Sequence, residues 1–346
     1  MISLCVIGKN NEKTITACIQ SVKPLVSEII YVDTGSTDGT KKIATSLGAK
    51  VSDFTWNDNY SDAKNASYMK ATQSWILSLD TDEVVALRDL QKIKNIVVSG
   101  EADGYSLMQR NYTNQQGSFS WTSCTDDMYE ESKIAAGFVP RKMVRLFKND
   151  PRIRAEGIAH DSVIPAILRI NGKMIDTEIV IHHFGALHHD NVHREKYIEL
   201  EKKNIKDDFF QEYQIASQLH SIGKPNEAVE HLARCLQLNP LFGLAYLELA
   251  LIGIKKGKIS EAKPILIESI RLDERDTAWS ALGLIEVHEK NFNRAIECFN
   301  KAILFNPKNA DYYFNLSQVL KEVGKMKESR EAFERAVYLN PMYRNK

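Results

Sequence analysis

The feature that most restricts what this chain can fold into is a repeat. Asn-Pro recurs at Asn239-Pro240, Asn306-Pro307 and Asn340-Pro341, and Asp273-Glu274 fills the missing place, giving spacings of 34, 33 and 34 residues. A period of that length marks stacked helix-turn-helix units. Positions inside the period agree. Small residues return at Ala228, Ala262, Ala295 and Ser329, where two helices must approach closely, and large apolar residues at Leu232, Leu266, Phe299 and Phe333. Gly223, Gly257 and Gly324 fall at the turn within a unit, with Lys290 as the exception. The openings Trp279-x-x-Leu282-Gly283 and Tyr246-x-x-Leu249-Ala250 also match one another.

The pattern upstream is different. Ser3 to Gly8 is a short apolar run that reads as a buried strand. Thr14 to Val22 reads as a helix. Glu28 to Asp33 is a second strand, rich in β-branched and aromatic residues. It leads into Thr34-Gly35-Ser36-Thr37-Asp38-Gly39-Thr40, a turn ahead of a helix reaching Leu47. Ala49 to Phe54 is a third strand, Asp62 to Gln73 a helix and Trp75 to Leu79 a fourth strand. This order predicts parallel strands joined by helical crossovers, with ligands at the strand C-terminal ends. Asp190 to Asp208, dense in charge, predicts a solvated connecting helix. The expected division is an α/β domain over 1–189, a linker helix over 190–208, and four all-α repeats over 209–346.

Composition narrows the partners. The 346 residues include 45 Lys or Arg and 45 Asp or Glu, for a net charge of +0. No net field steers such a chain onto nucleic acid or an acidic membrane. The five cysteines Cys5, Cys18, Cys124, Cys235 and Cys298 lie far apart without a C-x-x-C pair, which suits reduced thiols rather than a zinc site. The opening Met1 to Gly8 lacks the basic region of a signal peptide. No stretch approaches the ~18 apolar residues of a spanning helix. A cytoplasmic protein with no transmembrane segment is expected.

The chemistry concentrates at strand ends. Asp80-Thr81-Asp82-Glu83 follows the Trp75–Leu79 strand, so two carboxylates and a third acid stand on a short loop anchored by that strand. Oxygen ligands on a fixed loop suit a hard divalent cation that bridges the phosphates of a nucleotide ligand. Asp33 ends a second strand, where a carboxylate can accept from a ribose hydroxyl or a base. Its neighbours Thr37 and Asp38 are equally suited to capping the next helix. Lys64, in Asp62-Ala63-Lys64-Asn65, is either a surface lysine or a phosphate contact at the same cleft.

Four ordered blocks carry a family resemblance: Val6 to Glu12, Glu28 to Thr40, Asp62 to Asn65, and Trp75 to Glu83. The chain from Ser3 to Gly185 resembles the family 2 glycosyltransferases of GT-A fold, and the 34-residue period resembles tetratricopeptide repeats. The fold expected is an α/β GT-A nucleotide-sugar-binding domain followed by an all-α tetratricopeptide superhelix. The resemblance implies that Asp33 contacts the nucleoside, Asp80 the ribose, and Asp82 an Mn²⁺ or Mg²⁺ ion. Lys64 sits where many members have arginine, and Thr34 stands where the family often has a second aspartate. Val144 to Asn149, followed by Ile158-Ala159-His160-Asp161, resembles a segment that often ends in His-Glu. It makes Asp161 the candidate base of an inverting transferase, with Glu156 and Asp126-Asp127 as rivals. Ile181-His182-His183-Phe184-Gly185 resembles the domain's His-Tyr-Gly ending, with His183 as a metal ligand or diphosphate contact. The other reading is a histidine packed under the cleft.

Repeat arrays present a groove that commonly holds peptides. The domain pairing resembles bacterial enzymes that glycosylate flagellin or bacteriocin peptides, and also transferases that extend lipopolysaccharide cores. The leading expectation is transfer of a hexose or N-acetylhexosamine from a UDP-sugar, UDP-GlcNAc or UDP-Glc, to Ser, Thr or Cys of a protein or peptide held by the repeats. Alternatively the array mediates a homodimer. A glycan acceptor, an inactive repeat scaffold and a nucleotidyltransferase are the competing readings.

Overall fold

The structure, a computed structural model, describes residues 1–114, 121–159, 161–188, 191–202, 205 and 208–345. His160 and His189 lie outside these. The chain forms two compact units. The first comprises Met1–Thr113, Met128–Ala135 and Pro140–His189; the second comprises Asn114–Asp127, Ala136–Val139 and Asp190–Lys346. Two stretches inside 1–189, Asn114–Asp127 and Ala136–Val139, group with the helical unit, and hydrogen bonds tie Trp121, Ser123 and Thr125 of the first to Asn306, Lys308 and Leu339.

The first unit begins with β1 (Ile2–Gly8), α1 (Ile15–Val22), β2 (Glu28–Asp33), α2 (Thr40–Ser46), β3 (Lys50–Asp53), α3 (Tyr60–Tyr68) and β4 (Trp75–Asp80). β5 (Glu83–Val85), α4 (Leu87–Ser99) and β6 (Gly104–Thr113) follow. After β7 (Thr122–Ser123) come β8 (Gly137–Lys148), α5 (Ile164–Arg169), β9 (Met174–His183) and α6 (Gly185–His188). The sheet order is β3-β2-β1-β4-β8-β6-β9-β5. β3, β2, β1 and β4 are parallel, as the strand–helix alternation predicts. β8 then adds antiparallel to β4, so the sheet is mixed beyond that point. α3 spans Tyr60–Tyr68 rather than the expected Asp62–Gln73. Asn59 caps it by accepting from the Asp62 amide, and Glu28 holds Thr72 outside the helix by accepting from its amide.

Alternation along the strands fills both faces of the sheet. Leu4 and Val6 of β1 and Leu77 and Leu79 of β4 face one core with Ile15, Ile19 and Ile93. Cys5, Ile7 and Ile76 face the other, with Ala63 of α3 and Ile167 of α5. In α1, Ile15, Cys18, Ile19 and Val22 are fully buried at the i, i+3, i+4, i+7 spacing of one helix face. Burial of each such aliphatic side chain contributes about 1.5–3 kcal/mol. Strand register then aligns the ends of the central strands: Gly8 lies beside Asp33, and Ile7 beside Asp80.

The second unit contains α7 (Asn191–Lys202) and the helix pairs α8 (Phe209–Ser221) with α9 (Pro225–Leu238), and α10 (Gly243–Lys255) with α11 (Ile259–Leu272). The pairs α12 (Asp276–His288) with α13 (Phe292–Phe305), and α14 (Ala310–Glu322) with α15 (Met326–Leu339), follow. Ala228, Ala262 and Ala295 are buried at the crossings, beside Leu232, Leu266 and Phe299. Each intra-pair turn passes through the left-handed region, with φ of +82° at Gly223, +75° at Gly257, +62° at Lys290 and +78° at Gly324. Lys290 thus adopts the backbone its glycine counterparts adopt at no steric cost. Among the described residues, no helix is long and apolar enough to cross a membrane.

Candidate active site

β4 ends at Asp80, and the chain turns through Thr81 and Asp82 into Glu83 of β5. Glu83 is completely buried and fixes this turn. Its Oε2 accepts from the Asp80 amide at 2.8 Å, and its Oε1 accepts from Gln109 Nε2 and, at 3.0 Å, from Arg145 Nη2. The same guanidinium nitrogen lies 2.5 Å from Asp80 Oδ2. On the opposite side, Lys64 Nζ lies 3.0 Å from Asp80 Oδ1 and 2.8 Å from Asp161 Oδ2. The structure thus brings Lys64, Asp80 and Asp161 into one contact cluster. Lys64 is a buried bridge between two carboxylates, not a surface lysine.

The electrostatics follow from this geometry. Burial pushes the Asp80 carboxyl up, but the Arg145 guanidinium and the Lys64 ammonium hold it well below the usual carboxylate range. Burial and Arg145 both disfavour charge on Lys64, yet Asp161 and Asp80 outweigh them and raise its pKa above the ordinary lysine value. Burial pushes Glu83 above its ordinary value against the pull of Arg145. Asp80 is held ionised with its side chain 37% exposed, whereas those of Lys64 and Arg145 are 4% exposed. A fixed, ionised acceptor at the rim suits hydroxyl donors such as those of a ribose.

Asp82 and His183 form a second pole. His183 lies opposite Glu83 on the β5–β9 ladder and opposite Asn111 on the β6–β9 ladder. Its Nδ1 is 2.7 Å from Asn111 Oδ1. An amide oxygen only accepts, so Nδ1 carries a proton and Nε2 is directed 3.3 Å away at Asp82 Oδ2. Burial disfavours the charged imidazole, but Asp82, with Glu83 and Asp80 behind it, raises the His183 pKa above its ordinary value. A positive charge, proton or metal, is thus favoured beside these two donor atoms.

Gly185 keeps the space beside them open. A Cβ there would stand 2.6 Å from both Asp82 Oδ2 and His183 Nε2. One carboxylate oxygen, one imidazole nitrogen and a gap that a methyl group would fill suit a partly protein-ligated divalent cation. Among the described residues, no group of three or more His, Cys, Asp or Glu is arranged to hold a metal, so further ligands would come from substrate and water.

Asp33 stands apart from both poles, at the end of β2. Its Oδ2 accepts from the amides of Gly35 at 3.0 Å and Ser36 at 2.8 Å, so it fixes its own turn. Asp38 also acts locally, accepting from the Thr40 amide at 3.0 Å. Of the rivals to Asp161, Glu156 is engaged by Arg169 at 2.7 Å, and Asp126 and Asp127 belong to the helical unit. His182, not His183, is the packed histidine: it is fully buried, with Nδ1 2.7 Å from Tyr112 Oη.

Sequence reasoning assigned no role to Arg145, Asn111 or Asn65. Asn65 holds the segment leading to Asp161, accepting from the Ala155 amide at 2.8 Å and donating to the Ala155 carbonyl at 3.0 Å. The signal for Arg145 was present: a cation inside the apolar run Val144 to Phe147 calls for a buried carboxylate.

With this geometry in place, comparison identifies the first unit. The pattern described as Glycosyl transferase family 2 matches residues 3–189. The chain belongs to that family. Tetratricopeptide patterns match residues 244–276, 283–324 and 310–342. A TPR repeat-containing protein of Synechococcus elongatus is 32% identical over 191 residues, covering 53% of this chain and 42% of that protein. An uncharacterized glycosyltransferase of Rickettsia typhi is 37% identical over 108 residues, covering 31% of this chain and 37% of its own length. The SPbeta prophage-derived glycosyltransferase SunS of Bacillus subtilis is 22% identical over 242 residues, covering 67% of this chain and 52% of that protein. The chain thus spans between about a third and a half of each of these relatives.

Proposed function

We propose that the family 2 unit is a metal-dependent inverting glycosyltransferase that moves a hexose or N-acetylhexosamine from a UDP-sugar to a Ser, Thr or Cys of a protein or peptide. The observation that carries this reading is the Asp82–His183 pair, 3.3 Å apart with Gly185 leaving room beside it. In this reading Asp82 and His183 hold Mn²⁺ or Mg²⁺, Asp80 accepts from the ribose and Asp33 from the nucleoside. When bound, the cation would neutralise charge developing on the leaving diphosphate.

Asp161 acts as the base. Lys64 holds its Oδ2 at 2.8 Å, and its side chain is 18% exposed, open to an acceptor. The acceptor oxygen or sulfur bonds to the anomeric carbon as its proton passes to the Asp161 carboxylate. The bond from that carbon to the β-phosphate oxygen breaks, and its electron pair leaves with UDP. Lys64, committed to Asp80 and Asp161, serves the donor by fixing these two carboxylates. The repeats supply a surface class that commonly binds polypeptides, which favours a polypeptide acceptor.

The test is to incubate the full chain with UDP-GlcNAc or UDP-Glc, Mn²⁺ and candidate flagellin or bacteriocin peptides, and to weigh the products. A sugar-sized mass gain on peptide with UDP release is expected. Modification of glycans alone would refute the acceptor assignment, and pyrophosphate release would indicate nucleotidyl transfer instead.

A further inference from the structure

Trp121–Asp127 lies in sequence between β6 and β8 but folds within the helical unit. It meets the turns that join successive repeats. The Trp121 carbonyl accepts from two side-chain amides, Asn306 Nδ2 at 3.2 Å and Asn309 Nδ2 at 3.3 Å. The Ser123 amide donates to the Lys308 carbonyl at 3.3 Å, and Lys308 Nζ donates to the Thr125 carbonyl at 3.4 Å. The hydroxyls of Ser123 and Thr125 both donate to the Leu339 carbonyl, at 2.8 and 3.0 Å. Tyr338 Oη donates to Asp126. The Trp121 ring is 1% exposed and lies so close to Gly137 that a Cβ there would stand 2.3 Å from it.

The repeat explains how the asparagines can do this. The cap asparagine uses its side-chain oxygen to close its own turn: Asn239 accepts from Leu241, Asn306 from Lys308 and Asn309 from Asp311. That leaves the amide nitrogen to face outward. At Asn306 and Asn309 it captures a carbonyl of another segment. Three of the seven contacts fall on segment carbonyls and one on a segment amide, so much of the recognition reads backbone, along the short strand Thr122–Ser123 and in the turn that follows, where Asp126 has φ +56° and the Asp127 amide donates to the Cys124 carbonyl.

We propose that the turn edge of the last two repeats is a recognition site for the backbone of a short strand and its following turn, whose resident ligand is the chain's own Trp121–Asp127. In this role the array anchors the connection between the strand that carries Asn111 and the strand that carries Arg145. The same groups are then occupied, and an acceptor polypeptide must engage the array elsewhere. The link to Asn111 and Arg145 rests on the donor-site reading given above.

Two full-length variants test this. Asn309→Asp keeps the oxygen that caps α14 but removes the donor to Trp121, and Ser123→Ala removes a donor to Leu339 from the other side. Amide hydrogen exchange of the Trp121–Asp127 peptides is followed by mass spectrometry, and UDP binding with Mn²⁺ by calorimetry. Each variant should accelerate exchange in that segment by about tenfold, leave exchange in α10–α12 unchanged, and weaken UDP binding severalfold. Unchanged exchange overturns the anchor. Faster exchange with undiminished UDP affinity overturns its link to the donor strands. A parent protein that binds no UDP refutes the donor reading, and the anchor is then judged by exchange alone.

Discussion

Arg145→Met probes the ion cluster beneath the Asp80–Glu83 loop. The guanidinium touches Asp80 Oδ2 at 2.5 Å and Glu83 Oε1 at 3.0 Å from a side chain that is 4% exposed. Methionine keeps much of the aliphatic stem but leaves the buried Glu83 carboxylate without its cation. Removing one partner of a buried pair typically costs 3–5 kcal/mol. Asp80 keeps Lys64 and partial exposure, so the expected loss is at the lower end, about 3 kcal/mol. The loss should depend on pH. Burial already raises Glu83 above its ordinary value of 4.5 against the pull of Arg145, and removing Arg145 raises it further. A carboxyl whose folded pKa exceeds its unfolded one binds more protons when folded, so stability is lost as pH rises through that range. The deficit of the variant should therefore be smaller at about pH 5 than at about pH 8. Adding Glu83→Gln should restore about 2 kcal/mol. Because a two-unit chain need not unfold in one step, the assay is hydrogen exchange of the β4 and β8 peptides across a urea series. A loss below about 1 kcal/mol, or one independent of pH, would refute the reasoning.

Three further outcomes are expected. Lys290→Gly relieves a left-handed lysine at φ +62° and should stabilise the helical unit by about 1 kcal/mol, read as a higher thermal midpoint; a lower one contradicts it. Burial pushes the Glu28 carboxyl up, but Lys50, Ser3 and Thr72 bring it down to about 2 from 4.5. Its contribution, up to about 3 kcal/mol, is present above the unfolded value and is lost as pH falls toward the folded one. Glu28→Gln should therefore flatten that acid limb in urea unfolding. Gly185→Ala puts a methyl against both Asp82 and His183, and should weaken Mn²⁺-dependent UDP binding by about tenfold or more while far-UV circular dichroism stays unchanged.

The parts of the molecule legible in sequence are those set by local pattern. β2 ends at Asp33 because that side chain turns the backbone through Gly35 and Ser36, and the Gly-Ser-Thr run announces it. The repeats declare themselves by period, and even the irregular Lys290 holds the backbone of its glycine counterparts. What could not be read depends on long-range pairing. Arg145 reaches Asp80 because β8 lies antiparallel beside β4, with Leu146 opposite Leu77, and no local pattern encodes that neighbour. Asn111 meets His183 through the β6–β9 register. Trp121–Asp127 carries no periodicity, and its partners Asn306, Asn309 and Leu339 are over 180 residues away. α3 ends at Tyr68, the chain turns with the Lys70 and Ala71 amides donating to the Ser67 and Tyr68 carbonyls, and Glu28, over 40 residues earlier, takes the Thr72 amide, so the Lys70–Gln73 stretch is not helical.

The central claim is that Asp82 and His183 hold a divalent cation against a nucleoside diphosphate. Its most direct test is calorimetric titration of UDP into the full chain with Mn²⁺ and with chelator, for the parent and for Asp82→Ala. The account predicts binding to the parent that requires Mn²⁺ and is lost in a variant that remains folded. Equal UDP binding by parent and variant in the presence of Mn²⁺ would contradict it.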